Sequence, residues 1–106
     1  MMNYRGDTFI RNYSAENDGS TYTFENGDTL KVAIIDKSGN VCIEKEIQLT
    51  AGDRDVDVVF TAQEMANLEV YSYETEYTVE AELTTSNWTK TVQEKVLIGL
   101  DYIVGE

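Results

Sequence analysis

Apolar and polar side chains alternate along much of this chain with a period of two residues. In residues 71–84 the odd positions carry Tyr, Thr, Val, Ala or Leu, and the even positions carry Ser, Glu or Thr. Successive side chains of a strand point to opposite faces, so this stretch predicts a strand with one core face and one solvent face. Residues 55–60 alternate in the same way, whereas residues 30–36 carry apolar side chains on both faces. The pattern predicts a mainly β domain.

Clusters of Asn, Asp, Ser and Gly separate these stretches and divide the chain into about seven strands. Asp36-Lys37-Ser38-Gly39 fits a type I turn whose fourth residue is left-handed. Residues 30–36, apolar on both faces, should therefore form an inner strand that pairs with residues 41–50 in a hairpin.

The strand over residues 71–84 also predicts its own register. If Ser86-Asn87 is the hairpin tip, apolar positions face apolar ones and polar positions face polar ones. The resulting pairs are Ala81 with Val92, Tyr77 with Val96, Thr75 with Ile98, Tyr73 with Leu100, Glu82 with Thr91, Glu80 with Gln93, and Thr78 with Lys95.

One segment departs from β structure. Thr61-Ala62-Gln63-Glu64 has the form of a capping box, and Phe60 and Met65 occupy the positions of a hydrophobic staple. A short helix over about residues 62–68 is expected.

About seven amphipathic strands in one chain form either a small barrel or a sandwich of two sheets. The sandwich is favoured by Leu68-x-x-Tyr71-x-Tyr73, whose spacing resembles an immunoglobulin tyrosine corner with Tyr73 at the cysteine position. We therefore predict an all-β, Ig-like antiparallel β-sandwich with one short helix near 62–68. The length of 106 residues fits a single domain, 1–106.

Composition removes several classes of chemistry. The chain has no His and one Cys, so imidazole-based catalysis, His-bearing zinc sites and an internal disulfide are excluded. Its net charge of −12 disfavours nucleic acid and anionic membranes as partners. No apolar stretch resembles a membrane span or a signal peptide. We expect no catalytic, metal-binding or cofactor-binding residues.

Two groups of carboxylates invite a functional interpretation. Asp53, Asp55, Asp57 and Glu64 have the spacing of an EF-hand loop, but Val58 stands where that loop requires Gly. The row formed by Glu74, Glu76, Glu80 and Glu82 could place two carboxylates at glycosidase distance. A solvated strand face explains both groups, and neither is assigned a site.

Other candidate residues carry weak signals. Cys42 is interpreted as a small packing residue, and Arg5-Gly6-Asp7 as a turn rather than an integrin motif. Among the residues that could form a sugar platform, only Trp88 and Tyr102 are expected on the solvent side, while Tyr71, Tyr73 and Tyr77 fall on the core face.

Short motifs along most of the chain resemble a known group of proteins. They are Arg5-Gly6-Asp7-Thr8, Phe24-x-x-Gly27-Asp28-x-Leu30-x-Val32, Phe60-Thr61 with Leu68-x-x-Tyr71-x-Tyr73-Glu74, Thr89-x-Thr91, and Leu97-Ile98-x-x-Asp101. This set resembles the small Ig-like proteins and N-terminal domains of tailed-phage baseplate upper proteins. Glu69 departs from that family, which often has Gly at this position.

The resemblance implies a noncatalytic phage or prophage structural or assembly module, associated with the baseplate or tail and docking to other phage structural proteins. It implies a location in the virion, or in the bacterial cytoplasm during assembly, and leaves a homo-oligomer open. The alternative is a ligand-binding module for carbohydrate or a host-surface protein; an enzyme is the weakest interpretation. Exposed aromatic side chains beside a groove would favour the alternative, whereas an exposed edge or apolar patch would favour assembly.

The alternation over residues 71–84 yields a stability prediction. Tyr73→Ala should lower the free energy of unfolding by about 3–5 kcal/mol, because it removes a buried aromatic ring. Glu80→Gln should change it by less than about 0.5 kcal/mol, as expected at a surface position. Urea unfolding of both variants measures the difference, and the reverse order would mean that the strand presents its other face to the core.

Overall fold

The computed structural model describes residues 8–68 and 75–99, together with the backbone of residues 3 and 4; for residue 99 only the backbone is described. Its elements in chain order are β1 (Asn3–Tyr4), β2 (Phe9–Tyr13), β3 (Glu16–Asn17), β4 (Ser20–Thr21), β5 (Thr29–Ile35), β6 (Val41–Gln48), β7 (Val56–Phe60), α1 (Ala62–Met65), β8 (Thr75–Thr84) and β9 (Thr89–Gly99).

The strands form an all-β sandwich with one short helix, as the sequence predicts. A five-stranded sheet in the order β1-β9-β8-β5-β6 is opposed by the two-stranded sheet β2-β7, and β3 and β4 form a small separate hairpin. The four long strands β9, β8, β5 and β6 pair antiparallel, and the two-residue β1 pairs with β9 in parallel. Nine strands are described rather than about seven, because β1, β3 and β4 are two-residue pairings too short to appear as a pattern.

The predicted hairpins and registers are confirmed where the structure describes them. Ala81 pairs with Val92, Tyr77 with Val96 and Glu80 with Gln93. β5 pairs with both β6 and β8, and Gly39 closes the β5–β6 turn at φ +90°. The predicted pair of Tyr73 with Leu100, and the tyrosine-corner spacing, lie outside the described residues.

Asp36 organises the β5–β6 turn. Its Oδ1 accepts hydrogen bonds from the backbone N–H groups of Asn40 and Ser38, each at 2.9 Å. The hydrogen bond from the Asn40 N–H is the main cause that lowers the pKa of Asp36 below its ordinary value, and the other hydrogen bonds add to it. Their effect exceeds that of desolvation, which raises the pKa. The turn is thereby fixed by a charged side chain at its first position.

The helix α1 is shorter than expected. Its capping box is present: Glu64 N–H donates to Thr61 Oγ1 at 3.2 Å, and Thr61 N–H donates to Glu64 Oε1 at 2.8 Å. After Met65 the backbone tightens, because the N–H of Asn67 donates to Glu64 O and the N–H of Leu68 donates to Met65 O. The predicted extension to Leu68 is therefore a turn, although Met65 and Leu68 are both buried.

The core lies between the two sheets. It contains the inward side chains of β5, β7, β8 and β9 together with Phe9, Phe24 and Met65, and Val32, Ile34, Val58, Phe60 and Ile98 are fully buried. Phe9 and Phe60, which are opposite each other on β2 and β7, have ring centroids 6.1 Å apart. Both rings are buried in the shared core, so they pack the two-stranded layer against the five-stranded sheet.

Removal of the α1 cap should have a measurable cost. Thr61→Ala is expected to lower the free energy of unfolding by about 1 kcal/mol, because it leaves the backbone N–H of Glu64 without its acceptor. Thr61→Ser, which keeps the hydroxyl, should retain most of the stability. Chemical unfolding followed by circular dichroism makes the comparison; equal losses in both variants would argue against a role for the cap.

Candidate functional site

The carboxylates with EF-hand spacing have separate structural roles. Asp57 lies on the outer side of β7 and accepts a hydrogen bond from Asn12 at 2.9 Å, while Glu64 belongs to the α1 cap. Val58, at the position where the loop needs Gly, is a fully buried core residue. In the described part of the chain, no group of three or more Asp, Glu or Cys residues is arranged to hold a metal ion.

The glutamate row lies on the outer face of the five-stranded sheet, as its alternation predicts. Its described members are half-buried rather than fully solvated, which corrects the expectation that they remain in water. The reason is cross-strand contact: Gln93 donates to Glu80 at 2.6 Å, and Lys95 Nζ lies 3.7 Å from Glu76. Glu74 lies outside the described residues.

Two expectations about single residues are wrong. Cys42 is exposed rather than a packing residue, because a β-bulge shifts the β5–β6 register between Val41 and Ile43. Trp88 is half-buried rather than solvent-facing, because its ring packs edge-on against Tyr22 with centroids 4.9 Å apart. Residues 5–7, Tyr71, Tyr73 and Tyr102 lie outside the described structure.

A buried polar pair, Tyr22 and Asp28, was not identified from the sequence as a functional or structural unit. Asp28 is 2% exposed, and its Oδ2 accepts hydrogen bonds from Tyr22 Oη at 2.7 Å and from the backbone N–H of Glu25 at 2.8 Å. Burial, followed by the hydrogen bond and charge of Asp28, raises the pKa of Tyr22 to about 12. The pair fixes the loop that precedes β5 and is structural.

A mainly apolar opening of about 210 Å³ lies between the two layers and is called here the cleft. Its floor consists of buried side chains from β5, β8 and the adjoining loops. Its mouth lies between the end of β2 and the start of β9. The lining residues are Tyr13, Ser14, Ala15, Glu16, Phe24, Leu30, Leu49, Val56, Ala81, Leu83, Lys90 and Val92.

Two polar contacts bracket the mouth of the cleft. On one side Lys90 Nζ donates to the backbone carbonyl of Glu16, and on the other Arg11 Nε donates to Glu94 Oε1 at 2.9 Å. Between them Val92 is 57% exposed, although it points toward the interior side of the sheet. The two-stranded layer therefore stops short of β9 and leaves an apolar side chain in solvent.

The edge of β9 is open along the same stretch. Among the described residues, β1 pairs with β9 only at Ile98 and Gly99, so residues 89–95 have no neighbouring strand on that side. These residues are called here the β9 edge. An unpaired row of backbone N–H and C=O groups is a template for pairing with another strand.

The opposite edge of the sheet, β6, is protected. It carries the bulge at Cys42 and an inward charged residue, Lys45. Lys45 Nζ donates a hydrogen bond to Val59 O and lies 2.8 Å from Glu64 Oε1. The contact with Lys45, followed by the hydrogen bond from the Thr61 N–H, lowers the pKa of Glu64. Bulges and inward charges are the features by which natural sheets prevent edge pairing. The β9 edge also carries inward charges, Lys90 and Glu94, but its register with β8 contains no bulge.

Most of the side chains that line the cleft are apolar. The ionisable side chains among its described lining residues are Tyr13, Glu16 and Lys90. Burial, followed by the charge of Glu94, raises the pKa of Tyr13, so its hydroxyl stays protonated at neutral pH. The volume of the cleft is smaller than that of a typical small-molecule site, which is about 300–1,000 Å³. A cleft of this size fits an apolar side chain or another small apolar group.

The sequence contained a signal for this site. Positions 90, 92 and 94 share the inward side of β9, and two of the three are charged. Charged residues at inward positions indicate that this part of the inner face is not covered.

Comparisons with known proteins bear on the fold. No protein-family model matches the sequence, and no curated protein is significantly similar to it. Two crystal structures of β-glucuronidase from Parabacteroides merdae, one with glycerol in its active site, superpose with TM-scores of 0.53 and 0.52 at 15% identity. The match covers 87% and 84% of this chain but 12% and 13% of theirs, so this chain spans about an eighth of those enzymes.

In the described residues, no helix is long and apolar enough to cross a membrane.

The Tyr22–Asp28 pair makes stability depend on alkaline pH. Tyr22→Phe should lower the free energy of unfolding by about 1–3 kcal/mol at pH 8, since Asp28 loses a hydrogen-bond donor. The wild type should lose this advantage as the pH rises from 10 toward 12, because the unfolded tyrosine ionises while the folded one stays neutral. Urea titrations of both proteins at pH 8 and pH 11 measure the gap, and a gap that widens with pH would refute the assignment.

Proposed function

We propose that this chain is a noncatalytic docking module of a phage or prophage tail, which binds other proteins through the β9 edge and the cleft beside it. The observation that carries the proposal is the difference between the two edges of the sheet. β6 has a bulge, and its inward lysine contacts β7 and α1, whereas the β9 edge has no bulge and exposes Val92, between the inward charges Lys90 and Glu94, beside an apolar cleft.

The geometry of the β9 edge suits a protein partner. An added strand would satisfy the open backbone groups, and an apolar side chain from that strand would cover Val92 and enter the cleft. An exposed apolar side chain that borders a preformed cleft is a typical docking feature. Lys90 and Glu94 on either side supply charged groups that select the partner's orientation.

Carbohydrate recognition is less well supported. A sugar platform needs aromatic faces presented to solvent, whereas Trp88 packs edge-on against Tyr22 and lies under the ammonium of Lys90, 4.9 Å from its ring centroid. The structural likeness to β-glucuronidase extends to the fold alone, at 15% identity. The proposal takes nothing from the activity of those enzymes.

The assignment to a phage rests on the sequence motifs. The motifs around Gly27-Asp28, Phe60-Thr61 and Thr89-x-Thr91 resemble the baseplate upper protein group, in which such domains attach other components to the tail. A place in the virion, or in the bacterial cytoplasm during assembly, follows from this proposal.

The test measures incorporation into tail particles. Particles are induced from the bacterium that carries the gene, sedimented, and quantified for this chain by mass spectrometry. The chain should be present, and Val92→Glu should reduce its amount by about tenfold or more, because a charge would have to be buried at the interface. Val41→Glu is the matched control, since Val41 is a similarly exposed valine on the opposite edge, at 55% against 57%.

Two outcomes would refute the proposed function. One is the absence of the chain from purified particles. The other is equal loss of the Val41→Glu and Val92→Glu variants, with both variants folded in thermal melts, since the β9 edge would then have no special role.

A further inference from the structure

We propose that the β9 edge pairs with the β9 edge of a second copy of this chain, antiparallel and centred on Val92. The inference rests on the β9 edge being the docking surface of the proposed function, and it names the partner. It would join two five-stranded sheets into one continuous sheet around a two-fold axis.

The order of side chains along β9 supports self-pairing. A two-fold axis at Val92 places Lys90 of each copy opposite Glu94 of the other, so both cross-strand pairs are of opposite charge. The same register places Thr91 opposite Gln93 and Thr89 opposite Lys95 on the outer face. Val92 of one copy lies opposite Val92 of the other, so the two exposed valine side chains cover each other.

Neighbouring registers are less favourable. The cores of both copies stay on the same side of the joined sheet only if the register shifts by two residues at a time. An axis at Thr91 places Lys90 opposite Val92, and an axis at Gln93 places Val92 opposite Glu94. Both separate the charge pairs and set a charged side chain against the exposed valine, so the axis at Val92 is selected.

Antiparallel self-pairing is unfavourable for β6, the opposite edge of the sheet. Antiparallel pairing of β6 with itself around Lys45 would place Glu44 opposite Glu46 twice and the two lysines opposite each other. Like charges directly opposite each other are destabilising. The charge pattern therefore favours self-pairing at β9 and opposes it at β6.

The existing contacts leave room for this pairing. The paired stretch covers residues 89–95, whereas β1 lies on β9 at Ile98 and Gly99, beyond its end. The mouths of the two clefts would face each other across the axis. Glu94 already accepts hydrogen bonds from Arg11 at 2.9 and 3.3 Å, so in the dimer its carboxylate would lie between Arg11 and Lys90 of the second copy.

Complementary charge reversals test the register. In analytical ultracentrifugation over a concentration series, the wild type should dimerise, whereas Lys90→Glu alone and Glu94→Lys alone should each associate about a hundredfold more weakly, because like charges then face each other. An equimolar mixture of the two variants should form a heterodimer, since every facing pair is again of opposite charge. Glu46→Lys, an equivalent reversal on β6, should dimerise like the wild type.

A second measurement does not depend on charge. In a Cys42→Ser background, Val92→Cys should form a covalent dimer on copper-phenanthroline oxidation, because the two residues face each other directly. Gln93→Cys, whose facing residue would be Thr91, should cross-link far less. Thermal melts establish that each variant is folded, which matters most for Glu94→Lys because it loses the partner of Arg11.

The outcomes separate this inference from the proposed function. A wild type that stays monomeric at every concentration, or a charge-reversed mixture that stays monomeric, refutes the second copy. If Val92→Glu is nevertheless lost from tail particles, the docking function stands with a different protein on the β9 edge. If Val92→Glu is incorporated normally and the wild type is monomeric, both are refuted.

Discussion

The two layers of this sandwich have unequal widths, and most of its other features follow from that mismatch. Strands lie about 4.8 Å apart, so the five-stranded sheet is about 19 Å between its outermost strands and the two-stranded layer about 5 Å. The narrow layer is held by the burial of Phe9, Val58 and Phe60 in the shared core and cannot reach either side of the sheet with backbone. Long cationic side chains bridge the remaining gaps. Lys45 reaches from β6 to β7, and Arg11 reaches from β2 to Glu94 on β9. The guanidinium of Arg11 also lies 4.2 Å from the Phe9 ring centroid, which joins the bridge to the aromatic contact.

The two bridges leave the sides of the sandwich in different states. On the β6 side Lys45 also meets Glu64, so the helix cap, the edge strand and the narrow layer form one connected group. On the β9 side the contacts of Arg11 and Lys90 lie apart, and the space between them is the mouth of the cleft. Val92 is exposed there because the narrow layer does not cover β9. The open surface at β9 thus arises from incomplete coverage rather than from an added loop.

What could be predicted from the sequence is what depends on neighbouring residues or on strict alternation. The β8–β9 register followed from matching both faces of two long strands, because a slip of one residue would reverse every side chain. The α1 cap followed from four consecutive residues. The exposure of Cys42, the burial of Trp88 against Tyr22 and the Tyr22–Asp28 hydrogen bond were not predicted. The first depends on a bulge, the second on a contact between two loops, and the third on a contact within the loop that precedes β5, none of which alternation encodes. The cleft was missed for the same reason, although the charges at positions 90 and 94 marked its mouth.

The charges on the two edge strands illustrate how one chain can block one edge while leaving the other able to pair. Antiparallel pairing of a strand with its own copy reverses the order of side chains. If the residues at equal distances on either side of the axis carry the same charge, pairing brings like charges together. If they carry opposite charges, pairing brings opposite charges together. Glu44-Lys45-Glu46 on β6 is of the first kind, while Lys90, Val92 and Glu94 along the inner side of β9 are of the second. In an acidic chain of net charge −12, association requires a local pattern of this second kind to offset the general repulsion. Of the two edges compared, only the β9 edge combines that pattern with an exposed apolar side chain and a cleft behind it.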